Sequence, residues 1–385
     1  MNKNIESLEK LKSWLIKSRF RAYDPFDGLN SFGLRLLTFE NSSMLVALQN
    51  VIRQLPFNIR PWVGIHPSLS SKGMAFICRG LIHSSSFENS KKSEKLCKSL
   101  LNWLIVNCNR KYSGVSWGNH FDYKSRLFYL PKNEPTVVWT ALIGHIFVDA
   151  YERFEEPAYL SIADSACQFI TNDLPRGKHT NGVCISYIPE KLVEVHNSNM
   201  LASSLLSRVS FYNKNKSYLT LSDESMKYSV SKINDDFSWY YSEDQMCQYV
   251  DNFHTAYNLD SLFYYNKYRS KEYEPVLLRA FSYYIDNFFE GAIPKYYDNK
   301  KYPIDIQCCS QSIETLIKLK DFHPKSKKLA LEVLDWTIDN MQDDSGFFYF
   351  RKHPGFYNKT PTLHWGQATM FSSLSSLLLA FYEDE

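Results

Sequence analysis

Asp251 and His254 stand three residues apart in Tyr249-Val250-Asp251-Asn252-Phe253-His254-Thr255, a spacing that lets a carboxylate reach an imidazole across one helical turn. Such a pair moves protons. The carboxylate sets the imidazole tautomer, and the ring works as acid or base near neutral pH. Asp251 could instead cap the helix that follows, and His254 could be a satisfied core residue. Tyr249 adds a phenol and Asn252 an amide to the same stretch. In Tyr23-Asp24-Pro25-Phe26-Asp27-Gly28-Leu29, Asp24 and Asp27 could divide acid and base roles, or could satisfy the amides of an Asp-Pro, Asp-Gly turn. Gln307, Gln311 and Glu314 follow four- and three-residue steps on one helical face. Three polar groups on an otherwise apolar face are costly unless a hydrated cavity or a buried network satisfies them.

A second constellation is His364-Trp365-Gly366-Gln367, preceded by Phe347-Phe348-Tyr349-Phe350-Arg351. His364 and Gln367 share a helical face, the rings offer flat apolar surfaces, and the Arg351 fork suits a carboxylate. That combination fits an acidic sugar. Tyr23, Trp117, His120, Trp139, Asn197, Tyr302 and Tyr349 extend the expected binding surface, since donors and acceptors interleaved with rings suit sugar recognition.

These residues need elements to hold them in place. Helical periodicity recurs along the chain in two alternating types. Segments 93–109, 159–172, 218–234, 271–289 and 324–340 are charged on one face, as outer helices are. Segments 73–86, 136–151, 197–211, 254–268, 305–319 and 363–381 are nearly uncharged all round, which marks buried helices. Residues near the starts of five buried helices, Trp139, Asn197, His254, Gln311 and Trp365, are 58, 57, 57 and 54 residues apart. A period of that size indicates an array of helical hairpins.

With an N-terminal helix at 4–16 as the sixth outer member, the array closes into an all-α (α/α)6 toroid. Residues 1–60 supply N-terminal helices and a closing segment, and residues 61–385 the repeated hairpins, in one domain. The amphipathic segment 42–54 is not placed by this count, so seven hairpins stay open. Aromatic, turn-rich loops at 114–135, 182–196, 237–253, 291–304 and 346–362 each lead into the start of a buried helix. Short β-hairpins are therefore expected to gather on one face, the functional one.

Composition narrows the classes further. The chain has 385 residues, 44 Lys+Arg against 41 Asp+Glu, and 26 tyrosines with 26 phenylalanines. A net charge of +3 implies neither a nucleic-acid partner nor an anionic membrane surface. The aromatic excess speaks for a core and a cleft rather than disorder. No secretory signal or membrane span is read, and eight scattered cysteines without a CxxC pair look like buried thiols of a cytoplasmic protein. Phosphate-loop, dinucleotide-fingerprint, HExxH and GxSxG motifs are missing, and His and Cys are not spaced as a zinc set. Neither a metal nor a cofactor is expected.

The motifs Tyr23-Asp24-Pro25-Phe26-Asp27-Gly28-Leu29, Trp117-Gly118, Pro135-Thr136-Val137-Val138, His196-Asn197-Ser198-Asn199-Met200-Leu201, Val250 to Thr255 and Trp365-Gly366-Gln367-Ala368 resemble landmarks of bacterial polysaccharide-biosynthesis proteins of the VpsJ-like group, over nearly the whole chain. The resemblance implies a setting in capsule, exopolysaccharide or O-antigen assembly, among other assembly proteins. It also implies a sugar-binding toroid similar to those of glucuronyl epimerases, N-acylglucosamine epimerases and unsaturated glucuronyl hydrolases.

The leading expectation is a sugar or uronic-acid epimerase. Such a reaction needs a base on one face of the ring, an acid on the other and a cation for the enolate-like charge. His254, Tyr249, Tyr302 and Arg351 are the candidates. A glycoside hydrolase would instead draw two carboxylates about 5–10 Å apart from Asp24, Asp27, Asp251, Asp305 and Glu314, and a lyase falls in the same alternative. A glycan-binding or scaffold subunit without chemistry is the third expectation.

Overall fold

The computed structural model describes residues 2–88, 90–125 and 128–383. Helix α1 (Asn2–Lys17) opens the chain, followed by the short α2 (Phe32–Leu36) and by α3 (Ser42–Gln54). Five helical hairpins come next: α4 (Ser71–Glu88) with α5 (Lys91–Val106), α6 (Val137–Phe154) with α7 (Pro157–Asn172), α8 (His196–Asn213) with α9 (Lys216–Val230), α10 (Asn252–Tyr268) with α11 (Glu274–Asn287), and α12 (Ile306–Lys318) with α13 (Ser326–Met341). The last helix, α14 (Ala368–Tyr382), packs on α1 to complete a sixth pair.

The even-numbered helices from α4 to α14 form the inner ring, each packed on the next, and α14 packs back on α4. Their composition explains the placement. Helix α6 buries an unbroken run from Val137 to Val148, and such a helix gains stability only when neighbours cover it on every side. The outer α5 buries Cys97, Leu100, Leu101 and Leu104 on one stripe, leaving Lys92 and Lys95 exposed. Ring closure depends on close approach: a Cβ on Gly80 of α4 would stand 2.5 Å from the Phe371 ring of α14.

The toroid therefore has six hairpins. Helix α3 does not make a seventh. It packs on the turn Asp27–Asn30 and on the first hairpin strand, across one end of the ring. At that same end, where the inner helices begin, lie short antiparallel strands: β1 (Tyr123–Lys124) with β2 (Tyr129–Leu130), β3 (Arg176–His179) with β4 (Gly182–Ile185), β5 (Phe289–Glu290) with β6 (Ile293–Pro294), and β7 (Ile304–Asp305) with β8 (Arg351–His353) and β9 (Phe356–Asn358).

All eight cysteines are free thiols, seven of them buried and Cys108 partly so. Among the described residues, no helix is long and apolar enough to cross a membrane.

Candidate active site

Each inner helix delivers a side chain from its start, or from the turn before it, into one cavity of about 360 Å³. Lys72 comes from α4, Trp139 from α6, Asn197 from α8, His254 from α10, Gln307 from α12, and His364 with Trp365 from the turn before α14. The volume lies within the range of ligand clefts, roughly 300–1,000 Å³. Phe26, Phe121, Tyr123, Tyr241, Tyr249, Tyr296 and Tyr297 make much of the wall from the loops, and α3 roofs it with Gln49, Asn50 and Arg53. Six helix N-termini pointing at one space add partial positive charge to it. The phase slips at α12, where Gln307 lines the cavity a turn ahead of the expected Gln311.

Asp251 serves both roles that its position allows. One carboxylate oxygen accepts from the His254 backbone N–H at 3.0 Å and caps α10, while the other lies 2.8 Å from His254 Nδ1. The imidazole is thereby oriented, and its Nε2 has no partner among the described residues. Tyr249 lines the cavity with its ring stacked 5.2 Å from Tyr241. Burial pushes its hydroxyl well up, so it stays protonated and can donate but cannot act as a base.

A second imidazole also lies against a carboxylate. A single π-helical turn, Leu363–Gln367, precedes α14 and turns His364 and Trp365 into the cavity; turns of this kind recur at functional sites. Gln367 is not a ligand group. Its amide clamps the turn, accepting from Phe348 N at 2.7 Å and donating to Phe348 O at 2.8 Å. His364 Nδ1 is in contact with Asp24 Oδ2, because Leu363 N donates to Tyr23 O at 2.9 Å and draws the N-terminal turn alongside. Burial raises the Asp24 carboxyl to about 6 against the pull of His120, Arg60 and Lys72. Burial, then the charge of Lys72, holds His364 well below its ordinary range, and hence neutral. The rings of His364, Trp365, Phe253 and His254 form a chain of contacts at 5.8, 5.4 and 4.2 Å between the two imidazoles.

Lys72 and Arg53, two cations of this cavity, make no hydrogen bond or ion pair to an acid among the described residues, and sequence reading missed both. Lys72 is buried, with its ammonium 5.8 Å from the rings of Phe76 and Tyr257 and 6.0 Å from that of Trp365. Burial lowers it to about 8. Its signal is a cation in the first turn of a buried helix, where the dipole opposes it; the helix begins at Ser71, two residues before the expected start at Gly73. Arg53 gave no signal, since a cation in the last turn of an amphipathic helix is ordinary.

Several expected site residues lie elsewhere. Asp27 is tied up beneath the turn by Arg60, 2.7 Å away and buried with it. Arg351 does not offer its fork to a ligand: β7 and β8 place it opposite Asp305, and its Nε lies 2.6 Å from that carboxylate, which also caps α12 through Gln307 N at 2.9 Å. Trp117 is core, its indole N–H donating to Leu104 O at 3.1 Å and its ring stacked on Phe147. Asn252 accepts from Tyr284 and Ser312 between helices, at 3.0 and 3.2 Å. Tyr23 lies under Arg60, Tyr302 beside Lys301, and Tyr349 donates to Asp343 at 3.1 Å, all outside the cavity lining. His120 is half-buried near Asp24, close enough to pull on its carboxyl, and desolvation lowers the imidazole to about 4.

Gln311 and Glu314 lie deeper along the ring axis, in a buried ionic plug. Gln311 donates to Asp260 at 3.2 Å, and Lys318 reaches the same carboxylate at 2.6 Å. Glu314 lies 3.8 Å from Arg79, which pairs with Asp149 at 3.1 Å, as Arg208 does at 2.6 Å. Here the polar face of α12 meets a network, with Glu314 Oε2 left unpartnered. Only Gln307 serves the cavity, donating to Tyr257 at 3.0 Å and leaving Oε1 unpartnered. Among the described residues no group of three His, Cys, Asp or Glu side chains could hold a metal ion.

The fold is that of the (α/α)6 toroids among solved structures. The chain is similar to the cellobiose 2-epimerase of Bacillus thermoamylovorans, with a TM-score of 0.63 at 11% identity over 82% of this chain and 88% of that one. It is also similar to a GH76A alpha-1,6-mannanase of Salegentibacter, at 0.61 and 10% over 81% and 90%, and to a polysaccharide lyase, at 0.57 and 10% over 81% and 91%. At such identities the likeness is one of fold. No family model matches the chain, and no curated protein matches it.

Proposed function

We propose that this protein is a carbohydrate-active enzyme, a sugar epimerase that removes and returns a proton at a carbon beside a carbonyl or carboxyl group. The observation that carries this reading is the lining of the cavity: two imidazoles, His254 and His364, each backed by a carboxylate at Nδ1, and one lining carboxylate among the described residues, Asp251. Hydrolysis by the usual route needs two free carboxylates across the scissile bond, and Asp251 is already engaged by α10 and His254. The epimerase, mannanase and lyase among the similar structures agree with a glycan substrate and leave the reaction to the site.

In this mechanism neutral His364 takes the proton through Nε2, with ionised Asp24 holding the proton on Nδ1. His254, oriented by Asp251, delivers a proton to the other face. Lys72 stabilises the enolate-like oxygen in a buried site, where such a charge counts most. For the reverse stereochemical course the two imidazoles exchange roles. The cellular setting we propose is surface-polysaccharide assembly in the cytoplasm, in keeping with the VpsJ-like resemblance.

The test is incubation in heavy water with a panel of neutral and acidic sugars, nucleotide sugars and oligosaccharides, followed by NMR. Deuterium entry at one ring carbon is expected. Bond cleavage without exchange would transfer the protein to the hydrolases, and binding without either would leave a glycan-binding subunit.

A further inference from the structure

The sequence assigns recognition of an acidic group to Arg351, and the structure withdraws that residue into its pair with Asp305. We propose that Arg53, on the roof helix α3, takes that role and seats a carboxylate or phosphate of the substrate between itself and the hydroxyls of Tyr123 and Tyr296. This deepens the epimerase reading by naming its substrate class, an acidic sugar.

Four observations carry the proposal. First, the Arg53 guanidinium lines the cavity and lies 4.8 Å over the Phe26 ring; Phe26 meets Trp365 at 5.2 Å and Tyr123 at 5.3 Å. Second, its Nε is buried and unpartnered, and no side chain among the described residues accepts from the fork. A buried donor left unmade is costly, and a buried charge more so. Third, Arg351 stands close enough to repel Arg53, while the nearby Asp305 is already bound to Arg351 at 2.6 Å, so this corner carries one uncompensated positive charge. Fourth, α3 is placed with care for a helix that the ring does not need. Asn358, itself buried, donates to the backbone oxygens of Arg53 at 3.1 Å and Leu55 at 2.9 Å, and Gln49 binds the Lys124 backbone through both ends of its amide.

The cavity lining as a whole agrees: Arg53, Lys72 and Lys124 against Asp251. An arginine fork matches a planar carboxylate or a phosphate two oxygens at a time. Lys72, 6.0 Å from the Trp365 ring, remains free for the reacting oxygen.

The experiment is calorimetric titration of the full-length protein with glucuronate, galacturonate and glucose 1-phosphate, and with glucose and galactose as neutral counterparts, repeated for Arg53→Gln and Arg53→Lys. The expected result is a preference of about tenfold or more for an acidic sugar, lost in R53Q and partly restored in R53K, with neutral-sugar affinity unchanged and a melting temperature no lower than the parent's. Carboxylate and phosphate sources are separated by which of the three acids binds best. Equal affinity for acidic and neutral sugars, an unchanged preference in R53Q, or no binding of any acid overturns the proposal. Because the readout is binding, it is independent of turnover: an intact preference without solvent exchange would discard the epimerase reading and keep the anion seat.

Discussion

Asp24 and His364 touch through Oδ2 and Nδ1 although 340 residues separate them. The contact joins the turn after the first helix to the turn before the last, so the same closure that completes the ring also sets this imidazole against its carboxylate.

This pairing gives stability and activity opposite responses to pH. Burial raises the Asp24 carboxyl from near 4 to about 6, so the folded state holds this proton more tightly than the unfolded chain does. The associated stability is full below about pH 4 and lost as pH rises through 6. Asp24→Asn should therefore melt higher than the parent at pH 7, by about 3 kcal/mol at about 1.4 kcal/mol per pKa unit, with the difference closing below pH 4. Solvent exchange should decline in the parent as pH falls through about 6 and be slow and flat in D24N. Melting curves that differ equally at pH 4 and pH 7 would refute the account.

Asp251 separates capping from chemistry. Asparagine caps as well as aspartate, so Asp251→Asn should retain the parent melting temperature while losing about 10²–10⁴-fold in exchange rate. Asp251→Ala should lose the rate and, in addition, about 1 kcal/mol of stability. Denaturant unfolding of the two variants alongside rate measurements checks both; a fully active D251N would remove the pair from the mechanism.

Lys72 is predicted to cost stability and to supply activity. Its folded-state pKa is lowered to about 8, so folding is opposed by this charge at neutral pH and the penalty fades as pH rises from 8 toward 10.5. Lys72→Met should melt higher than the parent at pH 7, approach it near pH 10, and show no measurable exchange. In the parent, exchange should fall as pH climbs through about 8. If K72M turns over normally, the cation has no part in the reaction.

Trp117 and Trp365 look alike in sequence and should behave differently. Trp117→Ala removes a core ring and should lose about 3–5 kcal/mol with sugar affinity retained by the folded fraction. Trp365→Ala should weaken sugar binding with a smaller loss of stability. Arg351→Gln resembles the first kind, since it strands Asp305 as a buried unpaired charge at a cost of about 3–5 kcal/mol. Parallel calorimetry and urea titration of the three variants distinguish the classes, and the opposite pattern for the two tryptophans would invert the site.

Local physics made the architecture readable from the chain. Uncharged helices alternating with amphipathic ones at intervals of 54 to 58 residues specify an inner and an outer ring, because burial on all sides and burial on one side leave different compositions. The aromatic loops before each buried helix marked the end of the ring at which the cavity lies. Asp251 with His254 was legible because one helical turn joins them. What depended on the folded ring was the division of labour among similar residues. Arg351 and Arg53, Trp117 and Trp365, and Gln307 and Gln311 differ by which partner the closed toroid brings within hydrogen-bonding distance, and those partners come from other helices and strands. Asp24 reaches His364 only through ring closure, and Lys72 and Arg53 become notable only once the tertiary structure turns them into the cavity without an ion pair.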